Sequence, residues 1–280
     1  MELRNDILAL RIDPRRGAKI TSLVRLASGF EFLLQRDPAL ADELPSDVAT
    51  YDASRSYGFD ECVPTVAPCA YPEEPFLGAT MPDHGDAWRI EARCERLNAE
   101  GARCTVVGRA LPYRFEKTVR LDGSSVRLNY AIENVGRASF AYNWTAHPLL
   151  AACDGTTIET PATLKEPQTQ PFSCKTSGYA ETRFTRRLKA GEGRFRVRWP
   201  ALAEALDLRF DPLAIPYAAI WITQGGWPRD STHAQYTLAV EPTLAPGSLA
   251  AAVASGIAPR LGPGDRATWS LTMDVGRADR

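Results

Sequence analysis

The 280-residue chain predicts an all-β fold built of two large antiparallel sheets packed face to face. Three observations carry this: hydrophobicity alternates with period two through most of the chain, turn residues separate the alternating runs, and helical periodicity is scarce. The plainest case is YRFEKTVRLDGSSVRLNYAIENVG. In it Phe115, Lys117, Val119 and Leu121 alternate with Arg114, Glu116, Thr118 and Arg120. After a turn at Asp122-Gly123, Val126, Leu128, Tyr130 and Ile132 alternate with Arg127, Asn129, Ala131 and Glu133, so the segment predicts a β-hairpin.

Similar strands are readable, in chain order, in ILALRID, AKITSLV, FEFLL, WRIEARCERL, ARCTVVGRAL, SFAYNWTA, FRVRW, AAIWIT, QYTLAVE and ATWSLTMDV. Short helices are expected only near DPALADEL (37–44) and PALAEALD (200–207). The proline-rich, polar stretch from Tyr51 to Asp86 is irregular, and its Phe, Cys, Val, His and Trp residues suit an ordered loop packed over a site better than a solvated tip. No repeat, low-complexity tract or linker-like shift divides the chain, so residues 1–280 read as a single domain.

Composition narrows the function classes. Hydrophobic residues make up 44% and the formal net charge is −1, which allows a large core and gives no electrostatic reason for a nucleic-acid or anionic-membrane partner. The densest basic run, RFTRRLKAGEGRFRVRW, sets Arg194, Arg196 and Arg198 opposite Phe195, Val197 and Trp199, the pattern of a solvated strand face. The N-terminus MELRNDILALRID lacks the apolar core of a signal peptide, so a cytoplasmic protein is expected. Its six cysteines form no CxxC pair and are expected as buried free thiols, with Cys94 and Cys104 facing each other across a hairpin as a packing contact.

Two segments hold candidate chemistry. In SFAYNWTAH, Phe140, Tyr142 and Trp144 share a core-like face, while Ala141, Asn143, Thr145 and His147 share a small, polar one. In QYTLAVEPTLAPG, Leu238 and Val240 alternate with Thr237, Ala239 and Glu241, and Pro242 closes the strand behind the carboxylate. A small, polar face on a large sheet suits a concave sugar-binding surface, and a carboxylate there must be hydrogen-bonded or functional. Taken singly, a strand-end histidine is more often structural and a strand glutamate more often exposed or ion-paired.

Together, GAKITSLV, GFDECVPT, PDHGDAW, NWTAHPLL, IWITQGGWP and AVEPTLAPG resemble the galactose mutarotase-like (aldose 1-epimerase) superfamily along nearly the whole chain. The resemblance implies that family's β-supersandwich. It also implies Glu241 as general base, His147 as general acid and His84 of PDHG as a sugar-binding histidine. Asp60 and Glu61 of FDE, with Trp221 and Gln224 of WITQ, look like pocket residues on the same grounds. Arg16 and Arg89 fall where relatives acting on 6-phosphorylated hexoses carry anion-binding arginines, so an anionic and a neutral aldose both stand as substrates. Asp83 precedes His84 where the better-known galactose mutarotases have asparagine, which weakens the case for galactose itself.

Mutarotation opens and recloses a hemiacetal. One group takes the proton of the anomeric hydroxyl while another delivers a proton to the ring oxygen, each transfer supplying roughly 10²- to 10⁴-fold. Acid and base are expected on different sides of the sugar, with Asp60, Glu61 or Asp83 keeping His147 protonated. No metal or organic cofactor is needed, and His84, His147 and His233 show no ligand spacing. Trp88, Trp221 and Trp227 are candidates to stack on the sugar, and His233 is expected in an exposed turn. The expected partner is a small-molecule sugar, bound by a monomer or homodimer. The alternatives are a non-catalytic carbohydrate-binding or sugar-sensing protein on the same fold, and a lyase or hydrolase on a related supersandwich.

Overall fold

The hairpin expected around Gly123 lies in the middle of an eight-stranded antiparallel sheet. Tyr113–Asp122 pairs with Ser125–Asn134 so that Arg120 faces Arg127 and Leu121 faces Val126. Gly123 turns the chain at φ 57, a left-handed conformation that glycine adopts at little cost. This computed structural model describes residues 1–46, 49–161, 171–175, 178–229 and 231–278. The sheet runs in the order Thr157–Glu159, Arg194–Trp199, Glu204–Phe210, Arg266–Arg277, Ser125–Asn134, Tyr113–Asp122, Gly101–Val107, Arg93–Asn98. Arg194 and Arg196 pair with Asp207, and Arg198 with Glu159, while Phe195, Val197 and Trp199 are buried.

The second sheet has nine strands. Its order is Glu2–Arg4, Leu8–Asp13, Lys19–Arg25, Phe59–Cys62, Thr145–Ala151, Tyr236–Thr243, Tyr217–Gln224, Tyr179–Phe184, with Phe30–Glu31 added beside Lys19–Arg25. One hydrophobic core joins residues of both sheets, including a cluster in which Trp144 lies 4.8 Å from Tyr130 and 5.1 Å from Trp269, centroid to centroid. The two large antiparallel sheets expected from the alternation are therefore present and packed face to face, and the nine-stranded sheet has its other face free of this core. No helix among the described residues is long and apolar enough to cross a membrane.

Local expectations fail in several places. Residues 37–44 form turns and irregular chain, and at 200–207 only Pro200–Leu202 winds into a 3-10 turn before the strand Glu204–Phe210 begins. Leu206 and Leu208 go into the core with period two, so tertiary pairing overrides the helical propensity of EALD. The α-helix among the described residues is Leu249–Ala254, capped by the Ser248 side chain, which accepts from the Ala251 amide. SFAYNWTA is not one strand. Asn143 interrupts it by accepting from the amides of Trp144 and Ala245 through its Oδ1. Finally, Cys94 and Cys104, directly opposite in register, are joined by a disulfide rather than merely packed.

Candidate active site

The site grows from one row of residues across the nine-stranded sheet. Asp60 pairs with His147 on one side. On the other, Thr145 opposite Thr243 and Leu149 opposite Ala239 set a register that brings His147 across from Glu241. Glu241 faces Ala219, which faces Phe184. Residues opposed across a sheet point to the same side, so Asp60, His147, Glu241 and Phe184 share a face. The next row, Thr182–Trp221–Ala239, adds an indole beside two small side chains. The alanines leave room, and the resulting cavity of about 360 Å³ lies within the range of small-molecule sites.

His147 Nε2 is 3.7 Å from Glu241 Oε1, and both side chains are buried. Burial pushes the Glu241 carboxyl up to about 8. Burial, helped by the positive charges of His84 and Lys19, holds the His147 imidazole well below its ordinary value. Both shifts favour the neutral forms, because a low-dielectric site disfavours charge of either sign. The expectation of a protonated His147 is corrected accordingly. The carboxylates meant to support it are engaged elsewhere: Asp60 binds Lys19 Nζ at 2.9 Å, Asp83 faces His84 Nδ1 at 3.1 Å, and Glu61 lies on the opposite face of the sheet.

Loops complete the walls. His84 adopts φ 58 in the turn Pro82–Gly85, and its amide donates to the Val66 carbonyl. Gly85 is required there, since a Cβ would come within 2.0 Å of the Val63 carbonyl oxygen. Tyr51, from the long irregular segment, stacks on His84 with centroids 3.8 Å apart and meets His147 edge-on at 5.7 Å. Its hydroxyl donates to Asp60 Oδ2 at 2.9 Å. Trp221 and Trp227 line the cavity at right angles to each other, while Trp88 is buried behind Tyr51. The irregular segment thus does pack over the site.

Of the residues singled out from sequence, His147, Glu241, His84 and Trp221 line this cavity, and Asp60 supports it from behind Tyr51. Glu61 does not. It is fully buried toward the other sheet, accepting from Lys117 Nζ at 3.2 Å, Tyr130 Oη at 3.1 Å and Trp144 Nε1 at 2.9 Å. Gln224, three positions after Trp221 at the end of its strand, is not among the lining residues. Arg16 is buried and spent on Asp42 Oδ1 at 2.6 Å and the Glu43 carbonyl at 2.9 Å. Arg89 lines a separate cavity with Asp86 and Arg109, its guanidinium 5.0 Å from the Trp88 ring. His233 is half-buried and paired with Asp37 at 2.8 Å rather than exposed. Sequence reasoning missed Tyr51, Phe184, Thr182 and Lys19. Lys19 alone had a local signal, as the polar residue of GAKI.

No protein-family model matches the chain, and no curated protein matches it. Solved structures do. A galactose mutarotase-like protein from Lactobacillus casei superposes with a TM-score of 0.74 at 14% identity, covering 99% of this chain and 99% of that one. A galactose mutarotase related enzyme from Lactobacillus acidophilus gives 0.74 at 13% identity, over 99% and 97%. An aldose epimerase homologue from C. elegans gives 0.70 at 13% identity, over 100% and 99%. The fold is that of the galactose mutarotase-like proteins. Within this mutarotase-like fold, the cavity described above opens on the face of the larger sheet.

Proposed function

We propose that this chain is an aldose 1-epimerase that interconverts the α and β anomers of a neutral hexopyranose. The observation that carries the reading is the buried His147–Glu241 pair, 3.7 Å apart at the base of a cavity walled by aromatic rings. The two reacting oxygens, the anomeric hydroxyl and the ring oxygen, are bonded to the same carbon. Acid and base therefore belong side by side, one on each oxygen, rather than on different sides of the sugar.

The pair needs one proton between its members. One member gives that proton to the ring oxygen as the C1–O5 bond breaks; the other takes the anomeric hydroxyl proton as the C1 carbonyl forms. Rotation about C1–C2 presents the other carbonyl face, and reclosure returns both protons. The family resemblance makes Glu241 the base and His147 the acid, whereas burial places the resting proton on Glu241. These are two tautomers of one pair with the same proton count and the same total charge. Each half of the cycle converts one into the other, and the member that holds the proton at the start is the one that faces the ring oxygen.

The lining also supports a neutral sugar. None of the described lining residues is an arginine or lysine, and Trp221, Trp227, Phe184 and Tyr51 offer ring faces and edges to the apolar side of a pyranose. Two-dimensional exchange NMR between the anomers of glucose, galactose and their 6-phosphates tests this. Enzyme-dependent exchange on a neutral hexose, lost in Glu241→Gln and His147→Asn, is the expected outcome. Binding without exchange above the spontaneous rate would instead establish a sugar-binding protein.

A further inference from the structure

We infer that Tyr51 is a positioning residue that fixes the tautomer of His147, holding the proton on Nδ1 and leaving Nε2 as a lone pair toward Glu241. The inference deepens the mutarotase reading and rests on it for its catalytic consequence, but the tautomer itself does not. Tyr51 comes from outside the sheet, and nothing in the resemblance assigned it a part.

Lys19 Nζ reaches Asp60 Oδ2 at 2.9 Å and also donates to the Arg55 carbonyl at 2.5 Å, with its charge 4.0 Å from the Tyr57 ring centre. Asp60, thus ion-paired, is an acceptor only. A tyrosine hydroxyl has one proton and two lone pairs. Its proton goes to Asp60 Oδ2 at 2.9 Å, so what it turns toward His147 Nδ1, 3.4 Å away, is a lone pair. An unprotonated Nδ1 would set lone pair against lone pair between two buried side chains, and an Nδ1–H instead completes the chain. The imidazole's other nitrogen, Nε2, then has no proton and faces the Glu241 carboxyl.

Burial agrees from two sides. It keeps the Tyr51 hydroxyl protonated, far above its ordinary range, with the Asp60 charge adding to the effect. It also keeps His147 neutral, which is the condition for a tautomer to exist at all. The ring of Tyr51 has a separate task, since it stacks on His84 and meets Trp88 edge-on at 5.3 Å. Tyr51→Phe removes the hydroxyl and keeps the stack, which separates the two roles.

The test is long-range ¹⁵N–¹H correlation NMR of the His147 ring in the full chain at pH 7, in the wild type and in Tyr51→Phe, with His147→Asn to assign the signals. The expected result is a protonated Nδ1 and an unprotonated Nε2 in the wild type, and a mixed or reversed pattern in Tyr51→Phe with the backbone spectrum otherwise preserved. Anomer exchange on the sugar that the wild type turns over should fall about tenfold in Tyr51→Phe through kcat, with KM little changed, as expected for loss of one hydrogen bond's worth of bias. Nε2–H in the wild type, or an unchanged tautomer in Tyr51→Phe, overturns the inference. A wild type inactive on every sugar but carrying the Nδ1–H tautomer would overturn the mutarotase reading and leave the positioning role standing.

Discussion

Asp60 and Glu61 are neighbours in the chain, yet their carboxylates lie on opposite faces of the nine-stranded sheet. Asp60 binds Lys19 and Tyr51 behind the cavity, and Glu61 binds Lys117, Tyr130 and Trp144 between the sheets. Glu61 thus ties the two layers together with an ion pair in which both side chains are only 1% exposed. Burial raises the Glu61 carboxyl, and the Lys117 charge opposes that.

Removing one partner of such a pair strands the other charge. Glu61→Ala should therefore lower stability by about 3–5 kcal/mol in chemical denaturation. The KM of the protein that remains folded should hardly change, because Glu61 touches no sugar. A rise in KM without loss of stability would place Glu61 back in the pocket.

The activity profile against pH separates the buried pair from ordinary side chains. With unshifted values, a glutamate base and a histidine acid would work best between about 4.3 and 6.5. Here burial moves the two groups past each other. Activity should hold through neutrality and fall as pH rises through about 8, where Glu241 loses the pair's only proton. The acidic limb should lie well below the ordinary histidine value, where His147 gains a second proton. Rates of anomer exchange from pH 4 to 10 test this, and an alkaline limb at the ordinary histidine value of about 6.5, with activity already falling at neutrality, would refute it.

How much of this was readable beforehand depends on how local the signal is. Period-two alternation is local, so the two sheets were legible, and Lys117 even showed itself on the apolar row where it is found buried. Parity put His147 and Glu241 on the small, polar faces of their strands, and the family resemblance rather than parity singled them out as acid and base. The same parity argues against both Asp60 and Glu61 facing the sugar, and against both Trp221 and Gln224, since within each pair the positions differ by an odd number. Motif resemblance grouped what the pleat separates. Tyr51, Thr182 and Phe184 reach the cavity through cross-strand register and loop packing, which no short window encodes. The six-residue helix Leu249–Ala254 is too short for helical periodicity to stand out.

The wall chemistry predicts selectivity. Trp221 lies beside His147, with ring centroids 6.5 Å apart and planes 29° from parallel, and it borders the cavity with Trp227. Trp221→Ala should raise KM for a neutral hexose on the order of tenfold while lowering kcat less, the loss expected when an aromatic contact is removed. Arg89→Ala should leave turnover of the same sugar unchanged, because its guanidinium serves a different cavity. A preference for hexose 6-phosphates that Arg89→Ala abolishes would reverse the choice of a neutral substrate.

Keeping an acid buried and neutral costs stability as pH rises. Glu241 titrates at about 8 in the folded chain and near its ordinary value of 4.5 when unfolded. Between those two values the unfolded chain ionises the group and the folded chain does not. The folded state therefore binds more protons there, and stability falls as pH rises, by up to about 1.4 kcal/mol per pH unit from this one site. Below about 4.5 the penalty is absent, and above about 8 it is fully developed and constant. Glu241→Gln keeps the shape and removes the titration, so the variant should be inactive yet more stable than the wild type at pH 8, by an amount that shrinks toward pH 5. Urea denaturation at pH 5, 6.5 and 8 measures the difference directly. A gap between variant and wild type that stays constant across that range would mean that Glu241 ionises freely in the folded protein and that the proton is not stored on it.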